Sequence, residues 1–153
     1  MVRLFDFFEK FIPNHLKSNS ADLMRSYVLV GTLLAYIGFT VIVLLAILFL
    51  VSLDNDTLVY AYLLILTCLF IYCVSLITFK KTGNFRLCGN MTVTVIFLAI
   101  CVGINLTGGY HISPISMLIV LVPTLAFLLA GRLDGFRWIF VAIAASIFLY
   151  VLD

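Results

Sequence analysis

Five apolar runs dominate this chain, and each is close to the roughly 20 residues that a helix needs to cross a bilayer. They span residues 26–53, 57–79, 87–106, 114–130 and 136–152. With 65% hydrophobic and only 10% charged residues, the chain lacks the polar surface of an ordinary soluble domain, where apolar residues are nearer half. The sequence therefore predicts an all-α, polytopic transmembrane helical bundle with five crossings.

The first 12 residues predict an amphipathic helix that lies at the membrane surface and is ended by Pro13. Its apolar side collects Leu4, Phe5, Phe7, Phe8, Phe11 and Ile12, and its polar side collects Arg3, Asp6, Glu9 and Lys10. The alternative is a helix whose apolar side packs on a protein partner. We expect residues 1–19 to form a cytoplasmic interfacial segment and residues 20–153 to form one membrane domain.

The positive charges fall in the N-terminal segment and in alternate connections between the runs. They are Arg3, Lys10, Lys17, Arg25, Lys80, Lys81, Arg86, Arg132 and Arg137. The connections around Asp54 and His111 carry none. Because lysine and arginine accumulate in cytoplasmic loops, we expect a multi-pass protein with its N-terminus in the cytoplasm. Five crossings leave Asp153 outside, so we expect that a sixth helix is missing or that the protein ends here.

No Asp, Glu, Lys or Arg lies in the central part of any run. Such charges mark proton relays and coupled transport, so this pattern argues against a pump or a proton-coupled exporter and leaves a passive channel open. The sequence has no phosphate-binding glycine loop, no zinc-binding His-Glu pair and no serine beside a plausible base. We expect no enzyme activity in these residues, no cofactor, no metal and no nucleic-acid partner.

The four cysteines, Cys68, Cys73, Cys88 and Cys101, lie in or beside apolar runs without Cys-x-x-Cys spacing. This placement is typical of small packing residues, with a disulfide or a zinc site as the alternatives. Asp134 follows Arg132 and precedes Arg137. We interpret it as a surface charge at the start of a helix rather than as a catalytic carboxylate.

The remaining polar side chains collect between the third and fourth runs, around Gly108 and Gly109. They are Asn105, Thr107, Tyr110, His111 and Ser113. Paired glycines reverse a chain tightly, a serine before a proline starts a helix, and histidine is the side chain whose charge ordinarily changes near neutrality. We predict that this outer turn is a ligand-sensing or pH-sensing site, the alternative being an ordinary turn with a solvated histidine.

Pro123 interrupts the fourth run and predicts a bend near its middle. A proline has no N–H, and its ring crowds the carbonyl four residues earlier, which is that of Ile119. In lipid the freed carbonyl needs a partner, such as a hydroxyl group or a water molecule. Because the bend lies between the outer turn and an inner turn at Gly131, Pro123 is a candidate hinge, with a static kink as the alternative.

Several short motifs in the second half occur together in an ordered series. Their residues are Lys80, Lys81, Thr82, Gly83, Thr107, Gly108, Gly109, Ser113, Pro114, Pro123, Thr124, Leu125, Ala126, Gly131, Arg132, Gly135 and Trp138. This series resembles the N-terminal membrane sensor region of bacterial sensor histidine kinases, to which membrane modules of some nucleotide cyclases are related. A tryptophan common in that region is Leu118 here, and Tyr110 and His111 stand where an isoleucine is common.

The resemblance covers residues 80–153, while the first two runs agree with it in layout only. It implies a sensory input domain in the bacterial inner (cytoplasmic) membrane, homodimeric in the full-length receptor. Such a domain relays a ligand, lipid or pH signal by helix repacking to a cytoplasmic kinase or cyclase domain, which is absent from this chain. The competing function is that of a small stand-alone integral membrane protein, such as a transporter subunit or an assembly factor.

Overall fold

The computed structural model describes residues 7–50, 55–107, 109–111 and 113–152, without the side chains of residues 50 and 55–58. The α-helices in these parts are α1 (Ser20–Leu50), α2 (Asn55–Thr82), α3 (Phe85–Leu106), α4 (Leu121–Leu129) and α5 (Arg132–Leu152). Short 3-10 helices cover Asn14–Leu16 and Pro114–Val120. The all-α prediction is confirmed for the residues that the structure describes.

Four helical stretches in the described parts of the chain are long and apolar enough to cross a membrane. They are Ser20–Phe49, Val59–Thr82, Phe85–Leu106 and Arg132–Leu152, and Pro114–Leu129 is a shorter apolar stretch. The chain is therefore a helical integral membrane protein. Its helices extend a few residues beyond several predicted runs, because their polar ends continue the helix outside the apolar part.

The chain divides into two compact units, Met1–Cys88 and Gly89–Asp153. In the first unit α1 packs on α2. The rings of Tyr36 and Tyr72 stack between these helices with centroids 5.6 Å apart, and Phe79 is fully buried. Large apolar and aromatic side chains thus form the contact between the first two membrane helices.

Hydroxyl groups inside these helices mostly bond their own backbone. Ser26, Thr40 and Thr67 each donate to the carbonyl four residues earlier over 2.7 Å. In lipid this removes the cost of an unpaired polar group. Ser75 differs, because its hydroxyl donates to the carbonyl of Cys88 over 3.2 Å and so connects α2 with the first turns of α3.

Residues 7–17 form an N-terminal strap that belongs to the first unit and contacts α1. Residues 7–9 are helical, and the chain then turns before Pro13, so the described part of the amphipathic helix ends earlier than predicted. Ile12 is only 3% exposed. Glu9, assigned to the polar side of that helix, accepts a hydrogen bond from the Tyr27 hydroxyl of α1 over 2.8 Å. Part of the strap therefore packs on protein, and residues 1–6 of the predicted helix lie outside the described residues.

In the second unit α4 packs on α5, and two glycines mark close approaches. A Cβ atom added to Gly89 of α3 would lie 2.6 Å from the carbonyl of Leu129. A Cβ atom added to Gly135 of α5 would overlap the Phe127 ring of α4. The absence of a side chain at these positions lets backbone and ring approach the helix surface directly.

The fourth run folds as two different kinds of helix. Pro114–Val120 is 3-10 and Leu121–Leu129 is α-helical. Pro123 therefore lies in the first turn of α4, where N–H groups have no partner within the helix and a missing one costs little. The N–H of Leu121 bonds the carbonyls of Leu118 and Ile119. The carbonyl of Ile119 thus accepts from a backbone amide, where a hydroxyl group or a water molecule was predicted.

Candidate functional site

The outer turn is closed by backbone hydrogen bonds through a glycine. The N–H of Gly109 donates to the carbonyl of Ile104, and the N–H of Ser113 donates to the carbonyl of Gly109, each over 3.0 Å. Gly109 has a φ of 92°, a conformation that residues with side chains rarely adopt. The predicted tight reversal is present here, although Gly108 and Ile112 lie outside the described residues.

A chain of hydroxyl groups connects the two sides of this turn. Thr107 Oγ1 donates to the carbonyl of Gly103 over 2.7 Å and lies 2.6 Å from Ser113 Oγ. Because a carbonyl can only accept and a hydroxyl has one proton, Ser113 must be the donor to Thr107. Ser113 Oγ in turn accepts from the N–H of Ile115 over 3.2 Å. Ser113, which is 3% exposed, therefore caps the 3-10 helix, as predicted, and also connects it to α3.

Three aromatic rings meet beside the hydroxyl chain. The rings of His111 and Tyr150 lie edge to face with centroids 4.6 Å apart. Tyr110 meets both rings nearly at right angles, at 6.3 Å from His111 and 6.4 Å from Tyr150. Edge-to-face packing of this kind is attractive beyond the area that it buries. The cluster attaches the outer turn to the end of α5.

Tyr150 is the member of this cluster that sequence reasoning missed. It lies 39 residues after His111 in the chain, so that no local motif indicates the contact. The available signal was a tyrosine at the end of the last apolar run, at the depth where rings with a polar tip are favoured.

Asn105 remains with its own helix. Its side-chain amide donates to the carbonyl of Cys101 over 2.8 Å, and the side chain is exposed. Of the five predicted residues, the structure therefore joins Thr107 with Ser113 and Tyr110 with His111, and it uses Asn105 to bond the preceding turn of α3.

The start of α5 holds a buried carboxylate. Asp134 lies in the first turn of α5 and is 3% exposed, so that its interpretation as a surface charge is wrong. Arg137 Nη1 donates to Asp134 Oδ1 over 3.0 Å, while the Arg137 side chain itself is 69% exposed. A buried carboxylate requires such partners. The predicted helix-start position is confirmed, and the side chain points inward from it.

The chemistry that these groups offer is hydrogen bonding and aromatic contact. In the described parts of the chain no three His, Cys, Asp or Glu side chains gather as a possible metal site, and the four cysteines are free thiols. Comparison with known protein families, curated proteins and solved structures finds no match for this chain. The structure is therefore that of a helical integral membrane protein in which hydrogen bonds close the outer turn and aromatic rings attach it to α5.

Proposed function

We propose that this chain is the membrane-embedded sensory input domain of a bacterial signal-transduction receptor of the histidine kinase type. In this proposal it lies in the inner membrane with its N-terminus in the cytoplasm and with the outer turn facing the periplasm. A ligand, lipid or pH change at the outer turn alters helix packing, and a cytoplasmic effector domain reads that change in a homodimeric receptor.

The observation that carries the proposal is the contact between His111 and Tyr150. His111 belongs to the outer turn, and Tyr150 lies within the last three residues of α5. In receptors of this kind the last helices lead toward the effector. A change in the position of His111 would therefore act on the end of α5 and on the 3-10 helix that follows the outer turn.

The residues that carry the family resemblance support a shared fold. Gly83, Gly109 and Gly131 all have positive φ angles, Ser113 caps the 3-10 helix, and Gly135 lies against the Phe127 ring. Each of these positions restricts the residue type for a structural reason. Their occurrence in one ordered series is thus what a common arrangement of helices in the second half would require.

Helix length supports five crossings rather than four. The 3-10 helix Pro114–Val120 has 7 residues and α4 has 9, which at rises of about 2.0 and 1.5 Å together span roughly 28 Å. The same residues in one α-helix would reach only about 24 Å. The greater rise per residue of the 3-10 helix thus brings the length of residues 114–129 close to the roughly 30 Å of a hydrocarbon core.

The charges of the connections support a cytoplasmic N-terminus. Lys80 and Lys81 lie in the last turn of α2, and Arg132 and Arg137 lie at the start of α5. The described residues of the outer turn carry no lysine or arginine. This asymmetry is the one that places basic connections inside.

A chimera tests the proposal. Residues 1–153 would replace the first five helices of a six-helix sensor kinase, whose own sixth helix and kinase domain follow. We expect His111→Ala and Tyr150→Ala each to shift autophosphorylation in isolated membranes by several-fold, and in the same direction. Tyr60→Ala is the matched control. Tyr60 lies on α2 and is 62% exposed, close to the 58% of Tyr150.

Two results would contradict the sensory function. In the first, both variants insert normally and leave autophosphorylation unchanged. In the second, the Tyr60→Ala control shifts autophosphorylation as strongly as the two variants do. Either result would favour a stand-alone membrane protein, such as a transporter subunit or an assembly factor, because such a protein needs no connection from the outer turn to an effector.

A further inference from the structure

We propose that the N-terminal strap and the connection between α2 and α3 together bind the phosphate group of an anionic lipid. This inference does not depend on the sensory function. It rests on two contacts that bring the strap and the connection together, on the charges that these contacts gather, and on the depth at which they lie.

The first contact joins His15 of the strap to Gly83 of the connection. A Cβ atom added to Gly83 would lie 2.5 Å from His15 Nε2 and 3.2 Å from Leu16 Cδ1. The φ of Gly83 is 66°. A side chain is therefore disfavoured there by the backbone conformation as well as by the lack of space. The strap therefore lies directly on the backbone of the connection.

The second contact is between a cation and an aromatic ring. Lys80 Nζ lies 5.9 Å from the centroid of the Phe11 ring, within the range of an attractive cation–π interaction. This interaction holds the ammonium group of α2 over the strap instead of leaving it to extend freely into water.

Four exposed lysines lie at or within two residues of these contacts along the chain, and we call them the lysine cluster. Lys10 precedes Phe11, Lys17 follows His15 by two residues, and Lys80 and Lys81 end α2; all four side chains are exposed. Within residues 7–17 and 79–86 the sequence has a single carboxylate, that of Glu9, and it is engaged by the Tyr27 hydroxyl. The cluster therefore has a net positive charge with no acidic side chain assigned to it.

The lysine cluster lies at the depth of lipid headgroups. Lys80 and Lys81 lie in the last turn of the 24-residue stretch Val59–Thr82 of α2, at about 32 Å from its start. This length carries the end of α2 just past the hydrocarbon core. Phe7, which is 47% exposed and packs edge to face on Phe11 at 5.4 Å, adds an apolar surface beside the cations.

This combination fits an anionic lipid better than an acidic protein segment. Compact ammonium groups bind phosphate as point charges, and an exposed aromatic ring beside them contacts acyl chains at the same depth. An acidic peptide would satisfy the charges but would leave Phe7 without an apolar partner.

The test uses purified protein of residues 1–153 in mixed micelles with equal amounts of phosphatidylglycerol and phosphatidylcholine. Native mass spectrometry gives the ratio of the two lipids retained. We expect wild type to retain phosphatidylglycerol preferentially, and the Lys80→Gln/Lys81→Gln variant to lose that preference by roughly five-fold per lysine. Adding Lys10→Gln and Lys17→Gln should remove it. Arg132→Gln, which removes an exposed charge outside the cluster, should retain the wild-type ratio.

Four results would overturn the proposal. The lysine variants would retain the wild-type ratio, Arg132→Gln would lower the ratio as much as they do, or an acidic peptide would displace phosphatidylglycerol at equimolar concentration. Displacement by millimolar inorganic phosphate alone would equally exclude a lipid as the specific occupant. Because the double variant changes only side chains that are exposed in the structure, it keeps the test decisive even if the fourfold variant fails to fold.

Discussion

Trp138 of α5 donates its indole N–H to Oδ1 of Asn90 of α3 over 3.0 Å. The same ring meets Phe97 edge to face, with centroids 5.5 Å apart. The indole N–H thus has a protein acceptor and needs no water at this position. This bond fixes the register of two helices that are distant in sequence.

Replacing Asn90 by Leu should destabilise the second unit, because the indole N–H loses its acceptor. Hydrogen bonds between membrane helices contribute about 0.6 kcal/mol on average and about 1.7 at most. Unfolding in mixed detergent, followed by the fluorescence of Trp138, the single tryptophan, measures this loss. Thr94→Val is the control, since Thr94 bonds the Asn90 carbonyl within its own helix. Equal stability of the two variants would contradict the prediction.

Gly89→Ala and Gly38→Ala should have opposite effects on stability. A Cβ atom at Gly89 meets the Leu129 carbonyl at 2.6 Å, and backbone cannot yield as a flexible side chain can, so that we expect a loss of about 1–3 kcal/mol. A Cβ atom at Gly38 has no neighbour within 4 Å among the described residues, and alanine there should gain about 0.5 kcal/mol. Thermal unfolding in detergent compares them, and a stable Gly89→Ala variant would refute the close approach.

Pro123→Ala should stop changes at one end of residues 114–129 from altering the other end. Alanine supplies the N–H that an α-helical bond to Ile119 requires, which favours one continuous helix. In the kinase chimera we therefore expect the response to His111→Ala to disappear when Pro123→Ala is added. Leu128→Ala, on the exposed side of α4, should preserve the response. If the Pro123→Ala chimera inserts normally and still responds fully, the proline has a structural role only.

Reporter fusions should reveal the proposed orientation. Fusions at Asp56 and His111 should behave as periplasmic, and fusions at Asn84 and Asp134 as cytoplasmic, because the basic connections stay inside. Alkaline phosphatase and green fluorescent protein give opposite signals on the two sides. A cytoplasmic signal at His111 would exclude both the five crossings and the location of the outer turn.

The extent of the membrane helices could be predicted because lipid imposes it locally. The backbone of residues 59–79 must bond within its own segment, and that apolar segment must be long enough to cross the hydrocarbon core. The helix α2 contains this whole segment. The cap at Ser113 and the turn at Gly109 were likewise predictable, since both depend on a residue type at one position.

What could not be predicted depends on neighbours that are distant in the chain. Asp134 has the sequence context of a surface charge, and only the packing around the start of α5 buries it. Tyr150 joins His111 through the fold. The 3-10 conformation before Leu121 cannot be predicted from an apolar run. A 3-10 helix and an α-helix both satisfy the backbone hydrogen bonds of apolar residues in lipid.

The bond from Ser75 to Cys88 has a consequence for biosynthesis. Gly83 and Asn84 are all that separate α2 from α3, about 7 Å of extended chain, so α3 begins to form directly after α2 during synthesis. The Ser75 hydroxyl donates to the carbonyl of Cys88, which lies in the first turn of α3. We therefore expect the insertion machinery to release α2 and the first turn of α3 into lipid together.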